Sequence, residues 1–476
     1  AFSTYGNPDL LGGYIVFPLA ISFAMALTEE DTRWRIGYWV GFLIIAWCWV
    51  VAFVRGAWLG GLLALGIIVL AAVLARHRLQ RTDWVFLGAA ILMLVALTVV
   101  SLASPTPILN VIERFASIFD FGKGSAKTRF QIWSSALEAI KARPIFGWGA
   151  DTFRLLFPKF KPYGYVAEAG FLSVADNVHN YPLQIASAVG IPGFLLLYML
   201  FFRTWWLAGR EVFVSGKGND RILYAGFWAA MAGYVLHLFF GISVTGCSVF
   251  LWVTMGLLLA PMAWSAQIGR TAWGPAAAIA SLLVVTVLSV GNIVYIASDH
   301  YYLIARANGT PELSRVDAAK MAKRLNPWND MYWAEIGTAY QDLMMDWVQQ
   351  AQQLKSQGQD DTEAKRQALA AFKEAEKELQ ASIKWIPEEY DNYVFITNLY
   401  NQAALNFENI NYYKQADEWG AKGELVEPYG PAIKFQRAVA LTSLNKTDEA
   451  RVVLESAAKM DPGYPEPRLL LAEIYR

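Results

Sequence analysis

Cysteine is nearly absent. Cys48 and Cys247, the two in 476 residues, both lie in apolar runs and give no disulfide framework, and without a CxxC spacing or a Cys/His cluster they give no thiolate metal site. Charge is sparse as well: Asp, Glu, Lys and Arg together make 17% of the chain, and 40 basic side chains are balanced by 40 acidic ones. That balance gives no reason to expect a nucleic-acid partner. A signal-peptide n-region and cleavage pattern are missing too. The chain starts at Ala1 rather than Met and stops at Arg476 within a helical pattern, so it reads as a fragment with earlier membrane helices missing.

What is abundant is apolar sequence, at 55%. Eight segments are long and nearly uncharged: 10–27, 36–54, 56–75, 84–103, 182–202, 222–240, 246–264 and 273–298. Each is close to the ~20 residues a bilayer crossing needs, which predicts a polytopic bundle of at least eight spans. Basic clusters at Arg76, Arg78 and Arg81, and at Arg203, Arg210, Lys217 and Arg221, alternate with connections poor in Lys and Arg. By the positive-inside rule those turns are cytoplasmic, together with 28–35 and 265–272. Arg55, the polar loop 104–181, the 241–245 turn and everything after 298 then face the other side.

The fold expected is therefore all-α, a transmembrane domain over 1–300 with a large external loop at 104–181, then a soluble helical domain over 301–476. In the second part a repeat emerges. Trp333-Ala334-Glu335-Ile336-Gly337-Thr338-Ala339-Tyr340 fits the start of a tetratricopeptide unit. Ala404, Ala416 and Pro428 recur one 34-residue phase later as Ala438, Ala450 and Pro462, with Ala457 at a further small position and Ala472 and Tyr475 beginning another unit. Pro327 and Pro387 end two less regular units. Small residues let paired helices approach, proline stops the second helix, and such stacks usually present a surface to a protein partner. The polar stretch Gln349 to Thr362 reads as an exposed extension or loop.

The external loop holds the candidate chemistry. His179 closes it, in Asp176-Asn177-Val178-His179-Asn180, and an imidazole at a membrane edge is suited to handling protons. Thr128 to Ala142 predicts a helix near the membrane surface, with Arg129 and Trp133 on one face, ended by Pro144. Arg154, Lys159 and Lys161 follow in the same loop and are further candidates for holding an anionic substrate, although a basic loop beside anionic lipid also explains them. Competing readings stay open for the rest: Arg55 as a snorkelling helix end, Arg129 paired with Glu138 or Asp120, and His179 as a structural residue capping the next helix with Asn180. His237, inside a span, reads as a helix-packing hydrogen bonder, while His77 and His300 lie away from the loop.

Taken in order, Thr128-Arg129-Phe130-Gln131-Ile132-Trp133, Pro144-x-x-Gly147-x-Gly149, His179-Asn180-x-x-Leu183-Gln184 and Gly190-x-Pro192-Gly193 resemble the core signature of the O-antigen ligase and O-antigen polymerase superfamily. Gly6-Asn7-Pro8-Asp9-Leu10 with Gly13-Tyr14, and Arg55-Gly56-Ala57-Trp58-Leu59-Gly60, match two further segments, so the resemblance covers about 5–262. It implies a polytopic C-type glycosyltransferase that moves a glycan from an undecaprenyl diphosphate to an acceptor hydroxyl, with no metal ion, nucleotide sugar or other cofactor. It also implies His179 as the group that activates the hydroxyl, with Arg55 and Arg129 on the diphosphate and Asn180 beside them. Two rigid guanidinium forks suit that task, because they fit phosphate oxygens and keep their charge. Such donors are worth about 3–4 kcal/mol each, and a placed base ~10²–10⁴ in rate. Two positions depart from the family pattern: Ala188 stands where many relatives carry Glu, and Val54 where they often carry Ser or Thr.

The function expected is transfer of a lipid-linked glycan on the outer face of a bacterial cytoplasmic membrane, with a glycan, lipid or protein acceptor and a protein partner for the repeats. Ligase, polymerase and protein O-glycosylation share the signature. A non-catalytic scaffold that organises an envelope complex through its repeats is the alternative from another class.

Overall fold

The computed structural model describes residues 6–103, 124–262, 274–307 and 309–476, and these are helical with connecting turns. The 104–123 part of the external loop, with Asp120, and the 265–272 turn lie outside the described residues. The chain divides into two compact units, one of residues 1–160 with 175–265, the other of 161–174 with 266–476.

The first unit is a helical bundle. It contains α1 (Pro8–Thr28), α2 (Thr32–Val51), α3 (Arg55–Leu74), α4 (Arg81–Ala103), α5 (Gly124–Ala142), α6 (Phe153–Phe160), α8 (Tyr181–Arg210), α9 (Gly218–Leu238) and α10 (Thr245–Leu259), while α7 (Tyr165–Ala169), between α6 and α8 in the chain, belongs to the second unit. The expected spans are all present as helices. Among the described residues, seven helices are long and apolar enough to cross a membrane; α9 is not one of them. Its polar residues are the reason: Asp220, exposed, and Arg221, half-buried, lie in its first turn, and His237 is buried near its end, where α9 packs on both α1 and α3. Close approach is set by small residues: a Cβ on Gly60 of α3 would lie 2.2 Å from the Gly233 carbonyl of α9, and one on Gly226 would lie 2.5 Å from Ala24 of α1.

The order of helices fixes two ends of this bundle. At one, α1 ends and α2 and α4 begin, and there Arg35 is buried with its guanidinium on Asp83 (Nε to Oδ1 2.9 Å, Nη2 to Oδ2 2.6 Å) and on the carbonyls of Leu27 and Glu29. Trp39 donates to the same carboxylate at 2.9 Å. This bidentate pair satisfies both charges and ties three helices together. At the opposite end α1, α3, α8 and α10 begin and α9 stops.

The second unit holds α11 (Gly274–Arg306), a 33-residue helix whose apolar side chains from Ile279 to Ile296 are exposed except for the half-buried Val294, and then eight shorter helices. These are α12 (Glu312–Leu325), α13 (Asp330–Ser356), α14 (Thr362–Trp385), α15 (Tyr390–Asn406), α16 (Ile410–Val426), α17 (Pro431–Ser443), α18 (Thr447–Met460) and α19 (Glu466–Ile474). Each packs mainly on its neighbours in sequence, as a solenoid does. Ala404, Ala416, Ala438, Ala450 and Ala457 are all buried, and α12, α14, α16 and α18 each stop two residues before Pro327, Pro387, Pro428 and Pro462. The Gln349 to Thr362 stretch is an exposed end of α13 followed by a turn. The division between units falls earlier than residue 300, because α11 runs unbroken into the contacts of α12, and it also gives the repeats the loop segment 161–174.

Candidate functional site

The site is built at the end of the bundle where α1, α3 and α8 begin. Asn7, Pro8 and Asp9 form a helix start: the Asn7 side chain accepts from the Asp9 N–H at 2.8 Å, proline takes the first turn, and an acid follows where the helix dipole favours it. Across from it α9 stops, leaving the carbonyls of Phe239 and Phe240 free for donors from elsewhere. Arg129, on α5, bridges the two. Its Nη2 donates to Asp9 Oδ2 at 2.8 Å and its Nη1 to the Phe240 carbonyl at 2.9 Å. The competing reading of Arg129 paired it with Glu138 or Asp120; Glu138 instead pairs with Lys141 at 2.6 Å.

His179 joins the same carboxylate, with Nδ1 3.8 Å from Asp9 Oδ2. Its backbone is left-handed (φ 51°), a region uncommon for residues other than glycine though more open to histidine than to most, and here the surroundings hold it. Three neighbours do so. The His179 N–H donates to Asn177 Oδ1 at 3.1 Å, the Val178 N–H to Gln184 Oε1 at 2.8 Å, and Asn180 caps α8 by accepting from the Leu183 N–H at 3.0 Å. Asn180 also donates to the Phe239 carbonyl at 3.0 Å, so the cap is locked to the end of α9. The His-Asn-x-x-Leu-Gln spacing thus holds the backbone of His179 at the start of α8. Burial pushes the His179 pKa down, the Arg129 charge pushes the same way, and Asp9 and Asp176 oppose them. The outcome is an imidazole kept neutral further into the acid range than usual.

A cavity of about 470 Å³ opens beside the ring, lined among others by Arg154, Asp176, His179, Asn180, Ala188 and Ser243. Its wall depends on the pairing of two loop motifs. α8 is kinked at Gly190 (φ 77°), which frees the carbonyls of Ser187 and Ala188 to accept from the Trp148 and Gly149 N–H groups at 3.0 and 2.9 Å, while the Ile191 N–H reaches the Pro144 carbonyl at 2.8 Å. Gly190 and Gly147 are required there: a Cβ would sit 2.1 Å from the Ile145 carbonyl and 2.5 Å from the Ala188 carbonyl, respectively. Ala188, where an acid was expected from the family pattern, contributes only a small apolar surface to the cavity.

Among the other expected residues, Arg55 is the half-buried first residue of α3, and a Cβ on the next residue, Gly56, would lie 3.1 Å from His237 Nδ1 and 3.2 Å from Phe240 Cβ. The start of α3 therefore abuts the turn that takes Arg129. Arg154 lines the cavity. Lys159 is exposed, 5.9 Å from the ring of Phe160. Lys161 departs from expectation: its ammonium is buried against the Glu427 carboxylate within the repeat unit, where burial and a dedicated counter-charge leave it no face for a phosphate.

Asp9 is the residue that sequence reading left without a role. Its signal was present, as an acid at the first turn of an apolar helix, but nothing in the sequence linked it to residues 120 and 170 positions away. His237 is buried among Gly13, Gly56 and Gly241, each of which would meet its ring with a Cβ at 3.1 Å or less.

An arginine fixed by a carboxylate, a histidine beside that carboxylate and a cavity next to the histidine thus lie together at one end of a bundle of helices long and apolar enough to cross a membrane. Residues 40–198 match the family model described as O-antigen ligase. The match supports glycan transfer in polysaccharide biosynthesis. No curated protein matches the sequence. Among solved structures, one titled "Crystal Structure of the Yeast Tom70" is 13% identical over 95% of each chain, with a TM-score of 0.24, too low to carry an argument.

Proposed function

We propose that this protein transfers a glycan from a polyprenyl diphosphate to an acceptor hydroxyl at the outer face of a bacterial cytoplasmic membrane. The hydroxyl oxygen attacks the anomeric carbon, the carbon–oxygen bond to the diphosphate breaks, and the carrier leaves with the electron pair. His179 takes the hydroxyl proton. Asp9 holds the resulting imidazolium and orients Arg129, which with Arg55 offsets charge on the departing diphosphate. Asn180 and Arg154 line the acceptor or glycan side, and Lys159 attracts the anionic carrier from the surface. Ligase and polymerase differ here only in what carries the hydroxyl.

The observation that carries this reading is the shared carboxylate: Asp9 Oδ2 is 2.8 Å from Arg129 Nη2 and 3.8 Å from His179 Nδ1. Sidedness is supported by the basic residues Arg33, Arg35, Arg76, Arg78 and Arg81, which sit at the other end of the bundle. The test is transfer in proteoliposomes from a polyprenyl-diphosphate oligosaccharide to a hydroxyl acceptor. His179→Ala is expected to lower the rate at least ~10²-fold with donor binding retained, and an unimpaired variant would overturn the assignment.

A further inference from the structure

The loop between α6 and α8 does not stay with the bundle. Its central segment, 161–174, belongs to the repeat unit. There the ammonium of Lys161 meets Glu427, the residue at the C-terminal cap of α16, and both side chains are at most 2% exposed. Tyr163 packs edge-on against Tyr429 at 5.6 Å, and Phe171 stacks on Tyr464 at 4.0 Å and 13°. Tyr464 is itself backed by Phe435 at 5.8 Å. Tyr165 and Val166, on α7, are buried.

A lysine and a glutamate withdrawn from water tolerate each other only in a fixed geometry, since either one alone would be a buried, uncompensated charge. Burial pushes the Glu427 pKa up and Lys161 opposes it, as expected for a carboxylate that depends on its partner. Aromatic contacts follow that pair along the segment. A surface loop resting on the repeats by chance would show exposed, exchangeable contacts. This one is anchored at its start by charge and near its end by a stacked ring, and three residues after it the chain reaches Asn177, then Val178 and His179, whose backbone is left-handed.

We propose that the helical repeats clamp the catalytic loop, with segment 161–174 as their bound ligand in cis and Lys161–Glu427 as the latch, so that Lys161 and Glu427 are positioning residues for His179. This rests on the reading of His179 given above. It assigns to the repeats a part in the transfer reaction itself, besides any partner they recruit.

Two measurements on the full chain in membranes test the latch without any transfer assay. In a background of Cys48→Ala and Cys247→Ala, the pair Phe171→Cys and Tyr464→Cys is expected to form a disulfide under mild oxidation, and adding Glu427→Ala is expected to abolish it. Chymotrypsin cleavage at Tyr163 and Phe171 is expected to be slow in the unaltered protein, roughly a hundredfold faster in Glu427→Ala, and slow again in the charge-swapped Lys161→Glu, Glu427→Lys double variant. Transfer is then read in the same three proteins, with kcat expected to fall in Glu427→Ala, KM for the donor to hold, and the double variant to recover. Absence of the cross-link, or unchanged cleavage in Glu427→Ala, overturns the clamp. Faster cleavage with unchanged kcat overturns the positioning role, and a double variant that stays open or inactive does the same for the latch. If every variant behaves as expected in the first two measurements while His179→Ala transfers normally, the transfer reading fails and the clamp stands.

Discussion

Single side chains set the pH behaviour expected of the site. The proton acceptor must be neutral, so activity rises with pH through the His179 pKa and is flat above it; burial and then Arg129 hold that pKa below the ordinary histidine value, which puts the rise at lower pH than a free imidazole would give. Asp9 acts in the opposite direction. Replacing it with Asn removes a charge that favours the imidazolium and leaves Arg129 less compensated, so the acid limb of kcat/KM should move to lower pH while the plateau falls. Replacing Arg129 with Gln should move the limb to higher pH. A pH profile of transfer in the two variants checks the pair of signs, and shifts in the same direction would remove Asp9 from the role given to it.

At the level of elements, the kink of α8 and the tie at the opposite end of the bundle carry separable loads. Gly190→Ala places a Cβ within 2.1 Å of a carbonyl at a left-handed backbone and should cost at least about 2 kcal/mol, seen as a lower melting temperature in detergent. Because Ile145 belongs to the 144–149 turn, which is held to α8 by hydrogen bonds on either side of Gly190, donor binding should weaken with it. Asp83→Asn is a contrast. It leaves the buried guanidinium of Arg35 without its counter-charge, which should cost about 3–5 kcal/mol, yet the protein that remains folded should keep the KM of the unaltered chain. A raised KM in Asp83→Asn would show that the two ends of the bundle are coupled.

For the whole molecule, the seam is not where composition changes. Hydropathy falls after 298, but the unit that contains the repeats also takes α11 and the loop segment 161–174. If the clamp operates, removing residues 307–476 should cost transfer even with the bundle intact, and adding the repeats back as a separate chain should restore part of it. Transfer by the truncated chain at the full rate would leave the repeats a purely recruiting domain.

Helix positions, the 34-residue phase and the prolines that stop α12, α14, α16 and α18 were legible in the sequence, since each depends on residues within one or two turns of one another. The same holds for the cap at Asn180 and for the apolar length of the spans. What tertiary structure alone decided were the pairings across long separations: Arg129 with Asp9 rather than Glu138, Lys161 with Glu427 rather than a phosphate, and Pro144 to Gly149 with the carbonyls freed at Gly190. The physical reason is that a charge or a free carbonyl specifies only that a partner must exist. Which of several candidates fills that place depends on where the packed helices bring them, and packing is a property of the whole bundle.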